Sequence, residues 1–326
     1  MTNETARLSC QSLKEALHAV FGDHTEILES NRVPGGDINH AFRLRLSTGE
    51  KVFLKTNSIA NAKFFITEAH GLAALGQPEA IGVPKILGAG TDSQKGISFL
   101  LLEYMESAPS VKNYWEVFGH ELAALHKAAP GHVEKLRTRE DTQRTHRPSC
   151  FFVTDGQPLP RYGFWEDNFI GANPQKNLPS ASWIDFYRES RLMPQIKMAE
   201  HYFDSGMRKK AGYLLEHLDR YLREPDFPSL LHGDLWSGNV LCGNDGKAWI
   251  LDPAVYIGDF ETDLAMTQLF GSFPSAFYSA YHEVNPIHKG YDQRKELYHL
   301  YHLLNHLNLF GRMYLGSVAE ILNRYA

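Results

Sequence analysis

Two acidic residues separated by a short hairpin pattern constrain this chain more than any other feature. Leu230-Leu231-His232-Gly233-Asp234-Leu235-Trp236-Ser237-Gly238-Asn239 is followed, thirteen residues after Asn239, by Asp252 in Trp249-Ile250-Leu251-Asp252-Pro253. The apolar run Val240-Leu241-Cys242, the turn formers Gly243-Asn244-Asp245-Gly246 and the run Ala248 to Leu251 predict a β-hairpin between the two acids. Such a hairpin folds Asn239 and Asp252 back towards one metal site. Phosphoryl transfer from ATP needs a group to orient a hydroxyl and accept its proton, and oxygen ligands for Mg2+ on the nucleotide phosphates. Asp234 is the candidate for the first task; Asn239, five residues later, and Asp252 are the candidates for the second. Singly, each of these residues reads as part of a solvated turn. Their spacing, with apolar strands on both sides, carries the joint reading.

A chain of 326 residues is long enough for about two domains, and 43% hydrophobic with 22% charged residues is ordinary for a soluble globular protein. The net charge of -5 argues against a nucleic-acid partner, and the run Arg208-Lys209-Lys210 reads as a solvated helix face. The N-terminal stretch carries Glu4, Arg7, Lys14 and Glu15, unlike the apolar core of a secretory signal. No run approaches the roughly 18 apolar residues that cross a membrane. Cys10, Cys150 and Cys242 lack metal-ligand spacing and are odd in number, which suits a reduced, cytoplasmic protein.

Periodicity predicts a helix from Leu8 to Phe21, strands at Ala41 to Leu46, Val52 to Lys55, Pro84 to Gly90 and Ile97 to Tyr104, and a helix from Phe64 to Leu75 stopped by Gly76. Beyond Met105 helices dominate: Tyr114 to Ala128, Ser182 to Ser205, Met207 to Arg223, Glu261 to Phe270 and Asp292 to Ala326. The only β signal there is the hairpin around Asp234 and Asp252. The expected fold class is therefore α+β: a small β-rich N-terminal nucleotide-binding lobe, residues 1–105, and a larger helical C-terminal catalytic and substrate-binding lobe, residues 106–326. The boundary falls near Glu106-Ser107-Ala108-Pro109. The stretch Ala129 to Asn177, rich in Pro, Gly and Arg, is expected to form a long ordered loop over the site.

In the first lobe, Gly35 and Gly36 can bring backbone N–H groups close to phosphate oxygens. Lys55 closes the run Val52-Phe53-Leu54, where protein kinases place a lysine that contacts phosphates and pairs with a helix glutamate; Glu68 is the expected partner. The strand ending at Glu103-Tyr104-Met105 leads to where a kinase hinge offers backbone groups to adenine.

Taken together, several tracts resemble the fructosamine-3-kinase (ketosamine-3-kinase) family within the aminoglycoside-phosphotransferase-like, protein-kinase-like superfamily. They are Gly35-Gly36-Asp37-Ile38-Asn39, Val52 to Lys55, Glu68 with Gly71-Leu72, and Gly119-His120-Glu121-Leu122-Ala123-Ala124-Leu125-His126. Tyr162-Gly163-Phe164, Asp167-Asn168-Phe169-Ile170-Gly171, Pro174-Gln175-Lys176-Asn177, Trp183, Phe186-Tyr187 and Leu251-Asp252-Pro253-Ala254-Val255-Tyr256 complete the set with the Asp234 loop. The resemblance runs from about Gly35 to the C-terminal helices. It implies a two-lobed fold, the cofactors ATP and Mg2+, and phosphorylation of the C3 hydroxyl of a ketosamine, small or protein-bound, which destabilises the adduct and regenerates the amine. Trp236, where protein kinases usually carry lysine, could stack on a sugar face. Many relatives carry cysteine just after the glycine pair; Asp37 stands here, so a disulfide switch in that loop is not implied.

His299, His302 and His306 share a helix face at zinc-compatible offsets, but no Glu-x-x-His pattern or cysteine completes a site, and packing is the expected role. Asp259 and Asp263 are candidates for a buried acid bracing the Asp234 loop, and Arg188, Arg191 and Trp165 to Phe169 for the acceptor pocket. No Gly-x-Ser-x-Gly elbow supports serine nucleophilic chemistry. The competing expectations are an aminoglycoside or amino-alcohol kinase and a nucleotide-binding pseudokinase; retention of Lys55, Asp234, Asn239 and Asp252 speaks against the latter.

Overall fold

The structure, a computed structural model, describes residues 7–34, 38–128 and 161–326. Two compact units are distinguished, Met1–Lys112 with Leu241–Asp252 and Asn113–Val240 with Pro253–Ala326.

Among the described residues, the N-terminal segment of the first unit is built on six strands and two helices: β1 (Arg7–Cys10), α1 (Leu13–Phe21), β2 (Ile27–Val33), β3 (His40–Leu46), β4 (Lys51–Ser58), α2 (Ala62–Gly76), β5 (Ile86–Asp92) and β6 (Ile97–Glu103). The spatial order is β1-β5-β6-β4-β3-β2, antiparallel throughout except for the parallel pair β1–β5. Strand β6 is apolar without alternation because both its faces are covered. Phe99 and Leu101 enter a cluster with Leu13, Ala16 and Leu17 of α1, whereas Leu100 and Leu102 enter one with Phe65, Ala69 and Leu72 of α2. The two-residue period of a strand does this sorting.

Chain order continues with α3 (Tyr114–Lys127), β7 (Asn168–Ile170), β8 (Asn173–Gln175), α4 (Trp183–Tyr187), α5 (Met193–Ala199), α6 (Ser205–Glu216), β9 (Ser229–Leu231), the hairpin β10 (Val240–Cys242) and β11 (Ala248–Ile250), β12 (Tyr256–Gly258), α7 (Glu261–Leu269), α8 (Ser275–Val284), α9 (Tyr291–Phe310) and α10 (Leu315–Tyr325). The expected hairpin forms. Its strand β11 joins the first unit through Ile250 N–H to Gly82 O at 2.9 Å, and Ala108 N–H bonds to Cys242 O at 2.9 Å. In the second unit α3 packs on α8 so closely that a Cβ on Gly119 would lie 2.4 Å from Phe277 O.

Several expected boundaries are corrected. Leu8 to Phe21 is not one helix: the Ser12 side chain accepts from Glu15 N–H at 3.0 Å and starts α1, while the residues before it pair with β5. Strand β2 was not expected because it is a sheet edge whose first six residues are exposed, which erases alternation. The stretch Asp292 to Ala326 breaks at Gly311, whose φ of 87° ends α9. Ser182 to Ser205 is likewise interrupted, by a wide turn at Arg188–Leu192 and by a turn at Glu200–Tyr202. The chain beyond Met105 also holds β structure besides the hairpin, in β7–β8 and β9–β12, and the helix α8, all in the second unit. Of the expected long loop, residues 129–160 lie outside the described residues, as do Gly35, Gly36 and Asp37.

Candidate active site

Strand parity builds the first cluster. Val52 and Leu54 of β4 face the α1 side, so Phe53 and Lys55 face α2. There Lys55 Nζ donates to Glu68 Oε1 at 2.5 Å, and it also donates to Asp252 Oδ1. Burial works against the lysine charge, but Asp252 and then Glu68 outweigh it and hold the Lys55 pKa above its usual value. Burial raises the Glu68 carboxyl, Lys55 opposes the rise and Asp252 adds to it. These two directions pull against each other across one ion pair. With two acids around one ammonium, Lys55 keeps its proton and Glu68 ionises less readily than usual. Asp252 sits at φ 53°, a left-handed backbone that costs about 1–3 kcal/mol in a non-glycine residue.

A second cluster is built around the loop after β9, in the second unit. Asp263, in the first turn of α7, accepts from His232 N–H at 2.7 Å, Gly233 N–H at 2.8 Å and His126 Nε2 at 3.2 Å. Burial would push its carboxyl up; the hydrogen bond and charge of His126, with His232 and the Gly233 amide, bring it below the usual value. Gly233 has φ 83°, and a Cβ there would lie 2.1 Å from Ala254 O, so only glycine fits this bend. The loop then presents Asp234. Asn239 Nδ2 donates to the Asp234 carbonyl at 2.8 Å and reaches its Oδ2 at 3.3 Å. Trp236 is 36% exposed, and its indole lies over Gly238, where a Cβ would stand 2.3 Å from Cζ2.

His302 of α9 packs behind the Asp234 loop, the structural role expected for this histidine, although its approach to Asp234 itself was not among the expectations. Its Nδ1 lies 3.8 Å from Asp234 Oδ1, and burial first, then His306 and His299, push its pKa down to about 3. The ring is therefore neutral at pH 7, and 3.8 Å exceeds hydrogen-bond length, so the pair is not a salt bridge. The other two histidines pack as expected: His299 Nε2 is 2.9 Å from Ala265 O and His306 Nδ1 2.8 Å from His302 O. No group of three or more His, Cys, Asp or Glu among the described residues is arranged to hold a metal ion.

Polar side chains support the chain that leaves Asp252. Asn168 Nδ2 donates to Val255 O at 2.8 Å, Gln175 Nε2 to Ala254 O at 3.0 Å and to Asn168 Oδ1 at 2.8 Å, and Tyr301 OH to Gln175 Oε1 at 2.7 Å. Arg191 closes the network by donating to Asn177 Oδ1 at 2.8 Å, with its guanidinium 3.8 Å from the Tyr256 ring centroid. It is fully buried, which corrects its candidacy for the acceptor pocket.

The sequence model of fructosamine kinases matches residues 9–142 and 142–326. The chain belongs to the fructosamine kinase family. Among members of that group, it is 37% identical to a candidate ketoamine kinase of Synechocystis over 96% of each chain. It is 36% identical to the chloroplastic protein-ribulosamine 3-kinase of Arabidopsis thaliana over 93% of this chain and 84% of the relative. A crystal structure of a candidate fructosamine-3-kinase from Haemophilus somnus superposes with TM-score 0.78 at 27% identity, covering 96% of each chain. A macrolide 2'-phosphotransferase type I, 13% identical over 95% of each chain with TM-score 0.56, shares the fold alone. The fructosamine kinase chain is thus a kinase with the expected protein-kinase-like α+β fold.

For this family member the structure joins Lys55 to Glu68 and Asp252, and Asn239 to Asp234. At the expected hinge, Glu103 N–H is already bonded to Lys85 O at 3.0 Å, and Glu103 Oε1 accepts from Lys85 N–H. Tyr104 and Met105 follow outside the strand ladder. Among the described residues no helix is long and apolar enough to cross a membrane.

Proposed function

We propose that this protein transfers the γ-phosphoryl group of ATP to the C3 hydroxyl of ketosamines, free or carried on protein. Family membership supports the acceptor class. The observation that carries the chemistry is Asp234, held on a loop whose backbone is bonded to Asp263 and whose carboxylate is flanked by Asn239 and neutral His302. Asp234 takes the C3 hydroxyl proton as the new O–P bond forms and the bond between the γ-phosphorus and the β–γ bridging oxygen breaks, leaving ADP and a ketosamine 3-phosphate. The carbonyl at C2 allows enolisation towards C1. Phosphate then leaves C3, and water hydrolyses the resulting imine to release the amine and a 3-deoxyosone.

Lys55, oriented by Glu68, holds nucleotide phosphates, for which Gly35 and Gly36 remain further candidates, and the backbone of Tyr104 and Met105 meets adenine, next to Glu103, whose N–H is taken by Lys85 O. Asn239 and Asp252 are the residues that would hold Mg2+. The Asn239 nitrogen is committed to Asp234, leaving its amide oxygen to ligate, and the Asp252 side chain is 52% exposed with one oxygen on Lys55. Two oxygen donors suit that hard cation, which when bound neutralises charge on the phosphates. Trp236 stacks on the sugar. Cys10 and Cys242, not joined in a disulfide, fit a reduced cytoplasmic setting.

Incubation with ATP, Mg2+ and a ribulosamine or fructosamine is expected to give a 3-phosphate by phosphorus NMR, followed by free amine. Turnover of aminoglycosides with none of ketosamines would reject the reading.

A further inference from the structure

His126 of α3 bridges two other helices of the second unit. Its Nε2 reaches Asp263 Oδ2 of α7 at 3.2 Å, and its Nδ1 lies 2.7 Å from the Tyr281 hydroxyl of α8. Asn285, just past the end of α8, places its Nδ2 3.2 Å from the same hydroxyl and 3.1 Å from Ala123 O. His126, Asp263, Tyr281 and Asn285 are all buried. Water does not satisfy groups at such depth, so each polar hydrogen among them needs an acceptor from the protein.

These groups fix one another's donor directions. Ala123 O only accepts, so the end of the Asn285 amide that faces it is the nitrogen; turning the amide over would set two carbonyl oxygens against each other. The second hydrogen on that nitrogen points to Tyr281, whose oxygen accepts it. At the other end Asp263 accepts from the His232 and Gly233 amides as a carboxylate, so His126 donates to it from Nε2. Were Nδ1 also to carry a hydrogen, the Tyr281 oxygen would accept from both sides. Its own hydrogen would then meet no acceptor among the described residues. Burial pushes the Tyr281 pKa well above its ordinary value, so the phenol keeps that hydrogen. Tyr281 therefore donates to Nδ1, and His126 is the Nε2–H tautomer.

Asp263 passes this order to the loop that carries Asp234. Its Oδ2 takes His126 and the His232 amide, and its Oδ1 takes the Gly233 amide, one residue before Asp234. Of the three donors only His126 lies outside the loop. Without a fixed His126, the carboxylate is aimed by two amides that move with the loop itself. A misplacement of about 1 Å at a reacting group can cost about 10²-fold in rate.

We propose that Tyr281 is a positioning residue for phosphoryl transfer: its hydroxyl holds His126 as the Nε2–H tautomer, and through Asp263 this keeps Asp234 in place. The proposal rests on Asp234 as proton acceptor but not on which hydroxyl is phosphorylated.

In the full-length protein Tyr281→Phe is expected to lower kcat with a ribulosamine about ten-fold, read by ADP release, with both KM values changed by less than about two-fold. In a His126→Gln background the same substitution should change kcat by less than about two-fold, because the route runs through His126. Independent packing damage would instead multiply the two losses. Long-range 1H–15N spectra of the wild type at pH 8, with His126 assigned by the signals lost in His126→Gln, should show hydrogen on Nε2 and none on Nδ1. That measurement needs neither turnover nor a stable Tyr281→Phe protein. Hydrogen on His126 Nδ1 in the wild type, an unchanged kcat in Tyr281→Phe, or a ten-fold loss that persists in the His126→Gln background overturns the proposal. A wild type that turns over no ketosamine rejects the acceptor reading instead, and the spectra still decide the tautomer.

Discussion

His302 offers a quantitative test of the packing beneath Asp234. Its ring is buried, and its pKa falls from 6.5 to about 3 in the folded protein. The unfolded chain then binds a proton on this ring below pH 6.5 while the folded chain does not, so the contribution is complete above pH 6.5 and is lost as pH falls towards 3. Between pH 8 and pH 5 the unfolded state gains about RT ln 30, or about 2 kcal/mol, from this group alone. His302→Leu keeps a side chain of similar volume and removes the titration. Urea unfolding at pH 8 and at pH 5 is expected to show the wild type losing about 2 kcal/mol more than the variant over that interval. His299 and His306, lowered in the same direction, titrate in both proteins and cancel to first order. Equal losses in the two proteins would mean that the ring reaches water and takes up its proton in the folded state.

Asp234→Asn is expected to keep ATP binding and lower kcat by about 10²–10⁴-fold, measured by coupled ADP release; near wild-type turnover removes Asp234 from proton acceptance. Lys55→Met strands the buried Glu68 carboxyl, so it should destabilise the fold by about 3 kcal/mol in urea and raise the KM for ATP; an unchanged ATP KM would detach Lys55 from the phosphates. Gly238→Ala places a methyl where the Trp236 ring lies, and the displaced indole should raise the ketosamine KM about ten-fold with the ATP KM unchanged. A shift in ATP KM alone would place Trp236 outside the acceptor site.

What was legible in the sequence follows from what periodicity and spacing encode. Strand and helix faces were readable wherever one side is buried, which is why β3, β4, β6, α2 and α3 fall close to their expected places. The polar edge strand β2 carries no such alternation, and α8 buries only Phe277, Ala280 and Tyr281 of its ten residues. Short-range chemistry was also readable: Asn239 lies five residues from Asp234 and bonds it. Long-range partners were readable only where a known chemistry demands two groups together. Lys55 and Glu68 satisfy that condition, whereas the third member, Asp252, lies 197 residues from Lys55 and was assigned to metal alone. The bracing acid was narrowed to Asp259 or Asp263, and only coordinates separate them. Asp263 takes two loop amides, whereas Asp259 accepts from Tyr298 OH at 3.0 Å and burial, with neighbouring Glu261, raises its pKa to about 7. Both are buried acids near the start of one helix, so composition treats them alike. The difference lies in donors: the charged form of Asp263 is held by backbone N–H groups and His126, while Asp259 has a weaker set opposed by a nearby carboxylate. A buried acid can hold a loop in place as a carboxylate only where enough donors converge on it, and that convergence comes from tertiary structure.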